Sequence, residues 1–121
     1  VVNMSYPSPW KTLFNHLQNK GVMVFSPGQH QGECTSPYVV ISNQGLNRPK
    51  SYSSTQTRYD LMCYVPQNRY SELEPFVEQI KDYMRELYPQ FKPLNFETGS
   101  FLDDTVKGHM ISIQYGLNRK L

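Results

Sequence analysis

Apolar residues recur along this chain with two different periods, and the changes from one period to the other outline its elements. Ser8-Pro9 is a helix start, a capping hydroxyl followed by proline at the first helical position. Trp10, Leu13, Phe14 and Leu17 then fall on one face, and Gly21 is the natural stop. Val22-Met23-Val24-Phe25 predicts a short strand closed by Ser26-Pro27-Gly28, and Tyr38-Val39-Val40-Ile41 a second, central one. Residues 57–65 alternate: Thr57, Tyr59, Leu61, Cys63 and Val65 face one way, Arg58, Asp60, Met62 and Tyr64 the other. That pattern predicts a strand with one packed face and one half-exposed face.

The strongest period is helical. Leu73, Phe76, Val77, Ile80, Tyr83, Met84 and Leu87 repeat at 3.6-residue spacing behind Ser71 and Glu74, which have the spacing of a capping box, and Pro89 ends the run. Residues 92–98 and 108–117 predict two more strands, the second with Ile111, Ile113, Tyr115 and Leu117 on one face. Gly99-Ser100 and Asp103-Asp104 mark a turn region between them. The order is helix, three strands, long helix, two strands. It favours an α+β fold, a mainly antiparallel sheet of about five strands flanked by two helices, in one domain over residues 1–121.

Two segments carry no apolar period. Residues 42–56 are polar, with Arg48 and Lys50 as the only charges, and are expected to form a long loop of the kind that is usually functional or disordered. Asn118-Arg119-Lys120-Leu121 and the N-terminus are expected to be mobile ends.

Composition narrows the picture little further. Of 121 residues, 38% are hydrophobic, about 44% once the seven glycines are counted, close to a soluble globular domain. There is no run of about 18 apolar residues and no charged-then-apolar leader, so neither a membrane span nor an intact secretory signal is expected. Twelve basic against ten acidic residues leave a net charge of +2, too small for a whole-molecule case for nucleic acid. Cys34 and Cys63 are too few for a disulfide framework and read as reduced thiols of a cytosolic setting, with one bridge as the alternative.

Candidate chemistry is thin. A metal site would have to gather His30, Cys34, Cys63 and His109, without the close pairing that zinc sites show. Cys63, His109 and Asp60 combine into a nucleophile, base and acid on paper, but Cys63 shares the alternation of a core strand. Asp103-Asp104 reads as a turn rather than a cation site. No phosphate-cradling glycine loop or dinucleotide fingerprint is present. No catalytic residue, no metal and no cofactor is expected, and the chain is not expected to be an enzyme.

Aromatic residues make up 13% of the chain, nine of them tyrosine. Tyr59, Tyr64 and Tyr115 suit a sheet. Tyr52, beside Arg48 and Lys50, is either a solvated loop residue or an interface residue, since tyrosine and arginine are enriched at interfaces. A nucleic-acid version, with Arg48 and Lys50 on phosphate and Tyr52 stacking a base, has a small electrostatic basis.

The pattern as a whole resembles the tail terminator, or tail-completion, proteins of long-tailed bacteriophages. The residues that carry the resemblance are the short helix closing at Gly21, the strand Pro37-Tyr38-Val39-Val40-Ile41, the long polar loop, Arg58-Tyr59-Asp60-Leu61-Met62-Cys63-Tyr64-Val65-Pro66, the amphipathic helix 71–87 and the last strand Gly108-His109-Met110-Ile111-Ser112-Ile113-Gln114-Tyr115. The resemblance implies a structural virion protein of the tail and neck, assembled in the host cytoplasm. Such a protein forms a homo-oligomeric ring, hexameric in that family, on the head-proximal end of the tail tube. It ends tube polymerisation and offers a docking surface to the head-tail connector or stopper protein. Partners would be the chain itself, the tube protein and the connector, with no membrane and no specific nucleic acid. The resemblance carries over regions only, so Arg48, Lys50, Tyr52, Arg119 and Lys120 are the candidate protein-interface residues. Another neck protein and a small nucleic-acid-binding α+β domain are the alternatives.

Overall fold

The computed structural model describes residues 8–47 and 54–120. In chain order the elements are α1 (Pro9–Asn19), β1 (Val24–Phe25), β2 (Tyr38–Asn47), β3 (Ser54–Pro66), a 3-10 segment (Gln67–Glu72), α2 (Leu73–Arg85), β4 (Phe91–Glu97), β5 (Phe101–Asp103) and β6 (Gly108–Lys120). The fold is α+β. A six-stranded sheet runs β1-β2-β3-β6-β4, with β5 also on β6, and every pairing is antiparallel except β1 with β2.

Both helices lie on one face of this sheet. Leu13 and Leu17 of α1 and Leu73, Val77, Ile80 and Met84 of α2 pack against Val39, Ile41, Tyr59, Leu61, Cys63, Val65, Ile111 and Ile113. The four α2 residues are almost fully buried, and each such side chain is worth about 1.5–3 kcal/mol relative to exposure. The helices also touch each other, through the Tyr83 carbonyl and the His16 ring at 2.7 Å and through a Lys20–Glu86 ion pair. The predicted alternations in the third and last long strands hold, with the apolar set of each facing the helices.

Four expectations need correction. The segment 42–56 is mostly strand: β2 continues to Asn47 and β3 begins at Ser54, so only six residues join them. Ser54 to Gln56 pair with Lys120 to Asn118, so the C-terminal residues belong to β6 rather than to a loose tail. Backbone pairing holds these polar stretches in the sheet, and polar side chains do not prevent it when both faces are wet. The capping box does not form: a 3-10 segment leads into α2, Glu72 stands at the cap position without a capping side-chain bond, and Arg69 holds Glu72 instead. The turn region after Gly99 contains a sixth strand, β5. The helix stops at Arg85, four residues ahead of Pro89, and the chain turns before β4.

Strand register defines two ends of the sheet. At the base, Tyr38 pairs with Tyr64 and Gly108 with Pro66; at the tip, Ser54 pairs with Lys120. Beyond Tyr59 and Leu117, the last buried residues of their strands, β2, β3 and β6 run on as a three-stranded arm that no helix covers. Gly45, at φ 100°, places a bulge in the arm, and its amide donates to the Asn43 side chain at 2.8 Å.

Candidate functional site

The candidate interface residues separate into two groups. Arg48, Lys50 and Tyr52 lie outside the described residues. The backbone of Arg119 and Lys120 ends β6, opposite Thr55 and Ser54 at the tip of the arm. The sequence assigned these positions to two unrelated regions, a loop and a tail. In the fold, the six residues that join β2 to β3 start and finish beside the end of β6, so the two regions meet at one place.

The arm has unpaired strand edges. Past Val40, which pairs with Phe25, β2 has no strand neighbour on its outer side among the described residues. The outer edge of the opposite side is blunted: β4 carries Pro93 and a register break between Pro93 and Glu97, and β1 is only two residues long. Of the arm's described side chains, Leu46 is 63% exposed.

The helix-free face of the sheet carries an aromatic stack at its base. His30 lies over Tyr38 with ring centroids 4.3 Å apart, and Tyr38 over Tyr64 at 4.9 Å, while Phe25 meets both His30 and Tyr38 edge-on. The Tyr64 hydroxyl donates to Asp103 at 3.4 Å. Burial, with the Asp103 charge adding to it, pushes the Tyr64 phenol up to about 12, and burial raises Tyr38 further. Further along the same face, Arg58, Asp60 and Ser112 each bury one polar side-chain atom that has no hydrogen-bond partner among the described residues. Burial outweighs the nearby Arg58 charge and the Gln114 hydrogen bond, so the Asp60 carboxyl sits above its ordinary range.

Two grooves flank α2. One, of about 590 Å³, lies between the end of α2 and β4, over Met84, Phe91 and Tyr115, with Tyr88 and Phe96 exposed at its rim. Lys81 crosses that rim to Glu97 at 2.6 Å, and this contact raises the Lys81 pKa. The other groove, also about 590 Å³, runs along the first half of α2 beside Pro37 and is lined by Glu72, Glu78 and Asp82.

The catalytic combination is not assembled. Cys63 is fully buried among the core residues, its thiol donates to the Leu61 carbonyl, and burial raises its pKa, so it is held as a thiol. Asp60 alternates with it onto the opposite face, while His109 meets the ring of Tyr70. Cys34 and Cys63 are both free and buried. Among the described residues no three His, Cys, Asp or Glu side chains gather as a metal site, and no helix is long and apolar enough to cross a membrane.

Charge is the feature that linear reading missed. Arg48, Lys50, Arg58, Arg119 and Lys120 all belong to the arm segments, which hold no acidic residue from 42 to 58 or from 114 to 121. From 72 to 86 the chain holds five acidic residues against Lys81 and Arg85. The signal lies in partition rather than in the total, and it emerges once pairing brings three separate segments into one arm. No protein-family model matches the chain, and no match is found among the curated proteins.

Proposed function

We propose that this chain is a tail terminator: a subunit that assembles into a ring on the head-proximal end of a phage tail tube, stops its growth and receives the connector. The observation that carries the reading is the arm. Three strands extend past the core with an unpaired backbone edge on β2, and a small fold that keeps such an edge while blunting the opposite one has the features of a subunit completed by a partner. A ring needs two different surfaces on each subunit, and this chain offers an arm at one end of the sheet and grooves beside α2. The element order that underlies the resemblance to tail terminators supports the same reading.

Electron microscopy of tail tubes lacking their cap, incubated with gold-tagged chain, tests it. The reading expects label at one end of each tube. Label along the walls, at both ends or nowhere overturns it.

A nucleic-acid role has one specific observation in its favour, the five basic residues of the arm without an acidic one. Binding of duplex DNA that persists at physiological salt would favour that role, because five phosphate contacts or fewer weaken steeply as salt rises.

A further inference from the structure

The net charge of +2 conceals a molecule divided end from end. The basic arm ends where Lys120 pairs with Ser54. The groove beside the first half of α2 opens at the other end, against Pro37, next to the Tyr38–Tyr64 pair. Phe76, Pro75 and Pro37 give this groove an apolar floor, Glu72, Glu78 and Asp82 stand along it, and no basic side chain lines it.

These carboxylates have only local partners. Arg69 holds Glu72, Lys81 holds Glu78 and Arg85 holds Asp82, each three residues along the same segment. Exposed pairs of this kind are worth at most about 1 kcal/mol, so an incoming cation can replace the local partner at little cost.

We propose that the arm of one copy docks in the acid-lined groove beside α2 of the next copy. The proposal rests on the reading of this chain as a ring subunit and names the surfaces that make the ring. The dimensions agree. Ten residues of helix, from Glu72 to Asp82, extend about 15 Å, and five residues of strand extend about 17 Å. Donor and acceptor surfaces differ and lie at opposite ends, so the contact is head-to-tail and closes by rotation. A carboxylate-lined groove repels phosphate, which leaves a basic protein segment as its fitting occupant, and the arm is this chain's own. Complementary charge sets the register and the encounter rate, and Leu46 and the proline and phenylalanine floor supply apolar contact.

Charge exchange tests the proposal by sedimentation velocity over a concentration series. The wild type associates, and added salt weakens the association. The groove variant Glu78→Lys/Asp82→Lys and the arm variant Arg119→Glu/Lys120→Glu each associate at least about ten-fold more weakly. Mixed one to one, the variants associate again, because each now offers the surface that the other lacks; that recovery also shows both to be folded. Association of either variant at wild-type strength, or a mixture that stays monomeric, overturns the contact and leaves the ring reading standing. A wild type that stays monomeric at every concentration and on uncapped tubes overturns both. Loss of duplex DNA binding in the arm variant with self-association unchanged assigns the arm to nucleic acid and overturns the contact.

Discussion

The indole N–H of Trp10 donates to the Ile41 carbonyl oxygen at 2.7 Å, joining α1 to β2 one residue past the last pair that β1 makes. The short edge strand stops at that level and a helix side chain takes over, so the fold hands β2 from a strand to an indole before the arm begins. Trp10→Phe keeps a ring to stack on Phe14 but removes the donor. We expect a loss of about 1–2 kcal/mol in urea unfolding followed by circular dichroism. An unchanged midpoint would show that water replaces the indole freely.

Gly108 begins β6 where a side chain has no room. A Cβ there would stand 3.0 Å from the Cys34 Cβ and 3.1 Å from the Val65 carbonyl oxygen, neither of which is the far end of a flexible side chain. The Cys34 amide is itself tied to the Val106 carbonyl. Gly108→Ala is therefore expected to destabilise by about 1–3 kcal/mol, the range for overpacking a close contact. Gly99→Ala, with open space around the added carbon, is the control and should change stability little.

Asp60 gives the pH dependence a definite sign. Its folded pKa lies above the ordinary 3.8, chiefly through burial, so between those two values the native state binds more protons than the unfolded chain. Stability from this group is fully present below the ordinary value and is lost as pH rises through the folded one. Asp60→Asn should be more stable than wild type at pH 7, with the difference closing as pH falls below about 4. A difference that widens in acid would mean that Arg58 and Gln114 dominate instead.

Much of this fold is legible in the linear chain where one face of an element is dry. Leu73, Val77, Ile80 and Met84 announce α2, and Tyr59, Leu61, Cys63 and Val65 announce β3, because burial selects their period. The same logic is silent over Ser42 to Asn47 and Asn118 to Lys120. Both faces of the arm are wet, so only backbone pairing with β3 holds those strands, and no side-chain period records it. The capping box failed for a related reason: the spacing of Ser71 and Glu74 is right, yet the 3-10 segment starting after Pro66 moves the helix start to Leu73. The acid-lined groove needed Pro37 and Asp82 side by side, a proximity that no local pattern contains.

The six residues joining β2 to β3 are also open to test. Replacing residues 48–53 with a two-residue Asn-Gly turn leaves all thirteen β3–β6 register pairs available and removes two of the arm's five charges. Thermal unfolding should stay within a few degrees of wild type while self-association weakens. A collapse of stability would place those residues in the structural core, and unchanged association would remove them from the contact.

The ring itself is most directly tested by native mass spectrometry over a concentration series, with and without tail tubes that lack their cap. The account predicts a closed oligomer of one size, or a fixed number of subunits recruited to each tube end. A chain that remains monomeric at every concentration and ignores the tubes would contradict it.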